Sequence, residues 1–286
     1  MRNRFKELFT SLLVKIDWNL GLRETHDISL LSELNVYAQQ SRNPILSEVE
    51  FFGMSQLDED SIIQNIIGRI QSSDFEVSGS FVEFGVGDGL ENNTLSLLMK
   101  GRRGIWVGNE KLNLEIPTTP EVRLKYVKDW VTLDTLKQRI LPVIQEDIGL
   151  EPDLVSMDLD GNDYHFTEFL LKHGVKPKIW VQEYNANFGS EIEWVMPYNE
   201  KHSWRFTNYW GGSLKAFEKL FANYNYQLVA CNYSGVNAFF VHQEYSKCFA
   251  DVLGSSDSKF MPYKPWFFKT KQIRDRRTLL GVRQKS

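Results

Sequence analysis

Cysteine is scarce in this chain. Cys231 and Cys248 are the only two among 286 residues, too few for a disulfide framework and without metal-finger spacing. Cys231 lies in an apolar run, as a small buried residue does. The pattern suits a reducing compartment, so a cytoplasmic location is expected. A hydrophobic run long enough to cross a membrane is also missing. The apolar stretch near the N-terminus is interrupted by Lys15 and Asp17 and has no small-residue cleavage site after it, so it does not read as a signal peptide. Positive charge is not in excess. Lys and Arg number 33 against 37 Asp and Glu, for a net charge of −4, which argues against nucleic-acid binding. There is no Gly-x-x-x-x-Gly-Lys-Ser/Thr run, which excludes a P-loop. No internal repeat or low-complexity segment occurs.

Apolar residues are plentiful, at 42%, enough for a packed core. The length suits one large α/β domain with additions, or two small ones. Residues 1–50 read as a helical extension, 51–250 as the main domain and 251–286 as a basic tail. In the extension, Phe5, Leu8, Phe9, Leu12, Leu13 and Ile16 recur at helical spacing. Such a helix packs on the domain, on a second copy in a homo-oligomer, or on a membrane surface. The tail is a solvated segment or an anion contact.

The main domain alternates. Short apolar runs over 81–84, 104–108, 124–127, 153–158 and 178–183 read as strands. Helical spacing follows or separates them near 62–70, 91–100, 133–148 and 164–173, the last closed by Gly174. Ser213 reads as the N-cap of a helix reaching Phe221. Residues 227–231 and 238–241 read as a final hairpin. Strand-helix alternation of this kind predicts a doubly wound, mostly parallel sheet. Residues 185–212 break the rhythm with a loop rich in Asn and aromatics, too apolar for disorder.

The most informative stretch runs from Phe81 to Gly89. A buried strand ends near an acid, Glu83, and opens into a turn with Gly85, Gly87 and Gly89 at alternate positions. Glycines there let backbone approach a ligand closely. Glu83 falls at the carboxyl end of its strand, where open α/β sheets bind ligands. Acids close three further strands, at Glu110, Asp158 and Glu183. Glu110, about twenty residues past the turn, stands where nucleotide-binding sheets hold ribose hydroxyls, and Asn109 can do the same. Asp158-Leu159-Asp160-Gly161-Asn162-Asp163 concentrates oxygen ligands suited to Mg²⁺, Mn²⁺ or Ca²⁺. It has two readings: a metal site shared by Asp158, Asp160, Glu183 and Asn185, or a turn that caps the next helix. His165 and His202 are the candidate bases. Asp158 stands close to all of these roles, at the cofactor edge, the metal and the reacting group.

Several phrases together resemble one family: Ser55–Asp60, Val82–Gly85, Ser156–Tyr164, Gln182–Asn185 and Gly235–Val241. The set is similar to FkbM-like S-adenosylmethionine (SAM)-dependent methyltransferases, in particular a branch tied to bacterial polysaccharide and secondary-metabolite pathways. The resemblance covers roughly residues 52–245. It implies a Rossmann-like seven-stranded sheet with an antiparallel last strand, SAM as cofactor, and O-methylation of a hydroxyl on a sugar or other small molecule. It implies that Glu83, Gly85, Gly87, Gly89, Asn109, Glu110 and Asp158 bind the cofactor. It also implies that the aromatic loop closes over the acceptor, which Asn185, Trp194, Trp204, Tyr209 and Trp210 would contact. The acids at Asp158 and Glu183 resemble in position the Mg²⁺ ligands of catechol-type O-methyltransferases. Two rivals remain. Asp158-Leu159-Asp160 matches the D-x-D of metal-dependent glycosyltransferases, and the fold also serves as a non-catalytic binding module.

Overall fold

The apolar runs become seven strands of one sheet in the order β3-β2-β1-β4-β5-β7-β6. A computed structural model describes residues 32–33, 36–49, 54–114, 116, 123–205, 207–253 and 261. The strands are β1 (Phe81–Phe84), β2 (Gly104–Gly108), β3 (Leu124–Lys128), β4 (Leu154–Met157), β5 (Ile179–Glu183), β6 (Tyr226–Cys231) and β7 (Asn237–His242). The first five are parallel, and β7 inserts antiparallel between β5 and β6. The expected doubly wound sheet with an antiparallel last strand is therefore present. This is the strand order of the Rossmann-like methyltransferase fold.

Apart from the edge strand β3, whose residues are half-buried or exposed, the strands bury both faces, so neighbouring residues serve different cores. Phe81, Trp106, Leu154, Ile179 and Val181 face one layer. It holds α1 (Pro44–Ser47), α2 (Glu59–Gln71) and α3 (Leu95–Met99). Val82, Phe84, Ile105, Val107, Val155 and Trp180 face the other. That layer holds α4, α5 (Asp163–Lys172) and α6 (Leu214–Ala222), and a short α7 (Ala250–Leu253) follows β7. Here α4 denotes three consecutive segments, Leu133–Thr135, Leu136–Ile140 and Leu141–Asp147, the middle one a π-helix. One continuous helix was expected there. Pro142 is the second residue of the third segment, and having no N–H it cannot continue an unbroken ladder.

The helix expected over 91–100 is shorter, because Asn92 to Thr94 form a turn whose amides are taken by Glu83. Ser213 caps α6 as expected, accepting from Ala216 N. The acids at the start of α2, expected to favour the helix dipole, are buried and form specific bonds. Asp60 accepts from Met54 N and Ser55 Oγ, Glu59 from Asn232 Nδ2, and Asp58 from Tyr233 N. Asp58 and Glu59 tie the start of α2 to the β6–β7 turn, and Asp60 ties it to the segment just before the helix. Among the described residues no helix is long and apolar enough to cross a membrane. The expected N-terminal amphipathic helix and nearly all of the basic tail lie outside the described residues.

Candidate functional site

The sheet order reverses between β1 and β4, the switch point at which such sheets open a crevice at their carboxyl ends. A cleft of about 870 Å³ lies there. Its floor is the glycine turn. Gly85, at φ +85°, runs so close to the end of β4 that a Cβ would stand 1.4 Å from the Asp158 carbonyl oxygen. Gly85 is thus required by the chain's own packing. Gly87, at φ +49°, has nothing within 4 Å of a built Cβ and lines the cleft. The protein itself gives no steric reason for a glycine there beyond its backbone angle. Gly89 backs onto Leu114, Leu112 and Trp106.

Glu83 lines the cleft but is committed to the protein. One oxygen accepts from Asn93 N at 2.8 Å, the other from Thr94 N at 3.1 Å and from the Thr94 hydroxyl. Trp106 Nε1 in turn donates to that hydroxyl at 2.9 Å. Burial pushes the Glu83 carboxyl up to about 7, against the pull of these donors. Asn109 and Glu110 stand exposed at the cleft's edge beyond β2. Asp129, directly after β3, lines the same cleft with Trp130. Sequence reasoning missed Asp129, although the rule that found acids at four other strand ends applies equally to it.

Asp158, Asp160 and Glu183 converge, each offering an oxygen within 4.8 Å of the others. Glu183 and Asp158 hydrogen bond to one another, and both are held well above the usual carboxylate range, by burial first and neighbouring carboxylates second. Asp160 sits at φ +54°, with its N–H donating to Glu183 Oε2 at 3.2 Å. Asp163 turns away and caps the loop, accepting from Leu159 N at 2.7 Å and Gly161 N at 2.8 Å. Asp163 thus closes the turn, while Asn162, at the N-cap of α5, makes no side-chain cap bond.

The structure does not bring Asn185 into this group. Its Nδ2 donates to the carbonyls of Asn208 and Trp210, each at 3.0 Å, and its Oδ1 accepts from Asn187. Asn185 is a tether for the aromatic loop. Asn185→Ala should strand two carbonyls and lower stability by about 2 to 4 kcal/mol, read as a shift in a urea unfolding midpoint.

The two histidines part company. His165 is absent from the cleft lining, and its Nε2 pairs with the Met196 carbonyl at 2.7 Å. His202 lies in the cleft against Gly161, where a Cβ would meet its Cδ2 at 2.5 Å. Asn162 and Asn199 lock that segment through reciprocal bonds of 2.8 and 3.0 Å. The buried Nε2 of His202 has no hydrogen-bond partner, and the ring lies in the cleft with Asp160. Among the aromatics, Trp204 and Trp210 line the cleft. Trp194 stacks on Phe188 and meets Tyr209 edge-on, and neither Trp194 nor Tyr209 lines it.

No family model matches the chain, and no curated protein matches it. Solved structures do. One is a proposed O-methyltransferase from Nostoc punctiforme PCC 73102, with a TM-score of 0.33 at 11% identity over 74% of this chain and 69% of that one. Another is an O-methyltransferase family protein from Burkholderia thailandensis, with a TM-score of 0.31 at 11% identity over 76% and 72%. A third is human N-acetylserotonin methyltransferase in complex with SAM, with a TM-score of 0.28 at 11% identity over 74% and 66%.

Proposed function

We propose that this protein is a SAM-dependent O-methyltransferase acting on a hydroxyl of a sugar or related small molecule. The observation that carries the reading is the charge of the cleft at the switch point. Glu59, Glu83, Glu110, Asp129, Asp158 and Glu183 all line it, and no Lys or Arg does among the described residues. An acidic crevice beside a glycine turn fits a nucleoside ligand that is itself cationic, and it disfavours a phosphate-bearing one. The open side of Gly87 leaves room for that ligand's backbone-hugging part. Asn109 and Glu110, at the edge of the cleft, would take the ribose hydroxyls.

SAM, when bound, supplies a methyl group made electrophilic by its sulfonium. The chain's own residues then have two tasks. Trp204 and Trp210 offer apolar faces that align the acceptor, which is the larger part of such catalysis. His202 Nε2, unpartnered and next to Asp160, receives the hydroxyl proton, and the Asp160 carboxylate steadies the imidazolium that forms. The sugar acceptor and the FkbM-like branch rest on the sequence phrases at 55–60, 156–164, 182–185 and 235–241.

Calorimetric titration with S-adenosylhomocysteine tests the reading. Binding in the micromolar range, corresponding to about −8 kcal/mol, is the expected result. Heat evolved by a nucleotide sugar with Mn²⁺, and none by S-adenosylhomocysteine, would overturn it in favour of the D-x-D glycosyltransferase.

A further inference from the structure

The acid cluster has an unused neighbour on the antiparallel strand. Asn237 opens β7 directly opposite Glu183 of β5 in the sheet register. Opposed residues of an antiparallel pair project to the same face, with their Cβ atoms about 5 Å apart. Asn237 is 3% exposed, it lines the same cleft as the three acids, and its Oδ1 has no hydrogen-bond partner. Its backbone is fully occupied, with N–H donating to Asn232 Oδ1 and carbonyl accepting from Asn232 N, each at 2.9 Å. The side-chain oxygen is therefore buried with nothing from the protein to bind. A buried carbonyl oxygen left unpaired costs about 1 to 3 kcal/mol, so such an atom points to a ligand.

The three carboxylates set the ligand's charge. Oxygens bound to one cation at about 2.1 to 2.5 Å lie no more than about 5 Å apart, and those of Asp158, Asp160 and Glu183 all fall within 4.8 Å of one another. No Lys or Arg reaches the cleft among the described residues. The contact between Asp158 and Glu183 needs a shared proton or a cation between them.

We propose that Asp158, Asp160, Glu183 and the Asn237 side-chain oxygen form an all-oxygen site for one hard divalent cation, Mg²⁺ or Mn²⁺. The amide comes from the antiparallel strand, and Asn185, the amide expected from the sequence, is spent on the aromatic loop. Four hard oxygens with no thiolate select against soft metals. The site shares Asp160 with the methyl-transfer reading, but the two are tested apart, because a cation can be bound and measured with neither SAM nor acceptor present.

The test is a Mn²⁺ titration of the purified chain followed by the electron paramagnetic resonance signal of free Mn²⁺, with Mg²⁺ as competitor. The expected result is one Mn²⁺ per chain, displaced by Mg²⁺. Asn237→Ala should weaken binding by ~10-fold or more and Glu183→Gln by ~100-fold, while Asn237→Asp should tighten it. In the presence of a chelator, Asn237→Ala should melt at or near the wild-type temperature, because its Oδ1 has no protein partner to lose. Should Glu183→Gln fail to fold, the Asn237 pair still decides. Equal Mn²⁺ affinity in wild type and Asn237→Ala would overturn the assignment, as would no uptake of Mn²⁺ at ~1 mM, a concentration typical of weak oxygen sites.

Discussion

Gly85→Ala should leave almost no folded protein, whereas Gly87→Ala, two residues on, should fold. The new methyl carbon at 85 would stand 1.4 Å from the Asp158 carbonyl oxygen, well inside any contact distance. That oxygen belongs to the backbone at the end of β4, so no side-chain rotation relieves the clash. Relief requires β1 and β4 to part at their carboxyl ends. This breaks the bond from Asp158 N to Phe84 O at 3.3 Å and disturbs the one from Gly85 N to Val107 O at 3.0 Å. The φ of +85° adds strain that an alanine does not tolerate well. The loss should exceed about 4 kcal/mol, a large share of a typical domain's stability. At Gly87 the only protein-side loss is the left-handed backbone, about 1 to 2 kcal/mol. Far-UV circular dichroism and urea unfolding of both variants are the measurement. If Gly85→Ala unfolds within about 1 kcal/mol of wild type, the close approach of the two strand ends is not as described. The contrast also separates two kinds of glycine that look alike in sequence. Folded Gly87→Ala with weakened S-adenosylhomocysteine binding would mark Gly87 as the ligand's glycine and Gly85 as the sheet's.

That pair shows where sequence reasoning reaches and where it stops. Strand positions were legible because each buried run is short, rich in branched and aromatic residues, and closed by Gly or an acid. Residues 104–108 and 178–183 carry those marks plainly. That the ends of β1, β2, β4 and β5 share the cleft was legible too, since parallel strands gather their carboxyl ends at one edge. What each side chain does there was not. Nothing in Glu83-Phe84-Gly85 announces that the amides of Asn93 and Thr94 will claim the carboxylate. That depends on where the chain turns before α3. That Asn237 stands opposite Glu183 was hidden because it rests on the β5–β7 register, an antiparallel pairing between distant segments. His165 and His202 differ only by context: one bonds the Met196 carbonyl, and the other rests on Gly161, whose missing side chain makes the room. The acids of α2 read as helix-dipole partners because their true partners, Asn232 and Tyr233, lie far along the chain.

Glu83→Gln should destabilise the fold by an amount that depends on pH. A glutamine keeps one acceptor oxygen and turns an NH₂ group toward either the Asn93 amide or the Thr94 amide and hydroxyl. A donor then faces a buried donor, at a cost of about 1 to 3 kcal/mol. The wild type carries its own penalty at higher pH. Burial raises the Glu83 carboxyl from 4.5 in the unfolded chain to about 7 in the fold, so the folded state holds its proton over a range where the unfolded state has released it. The corresponding stability is fully present below pH 4.5 and is lost as pH rises through about 7, up to about 3 kcal/mol in all. Glutamine has no proton to lose, so the variant lacks this slope. The expected result is a variant clearly less stable than wild type at pH 5, with the gap narrowing toward pH 8. Urea unfolding of both proteins across that range reads it directly. A gap that stays constant would mean that the three donors hold Glu83 ionised throughout and that burial does not win. Either way the substitution alters the turn that presents Asn92 and Asn93 to the cleft. Loss of cofactor binding in a Glu83 variant therefore identifies a ligand contact only when it is measured at a pH where the variant is shown to be folded.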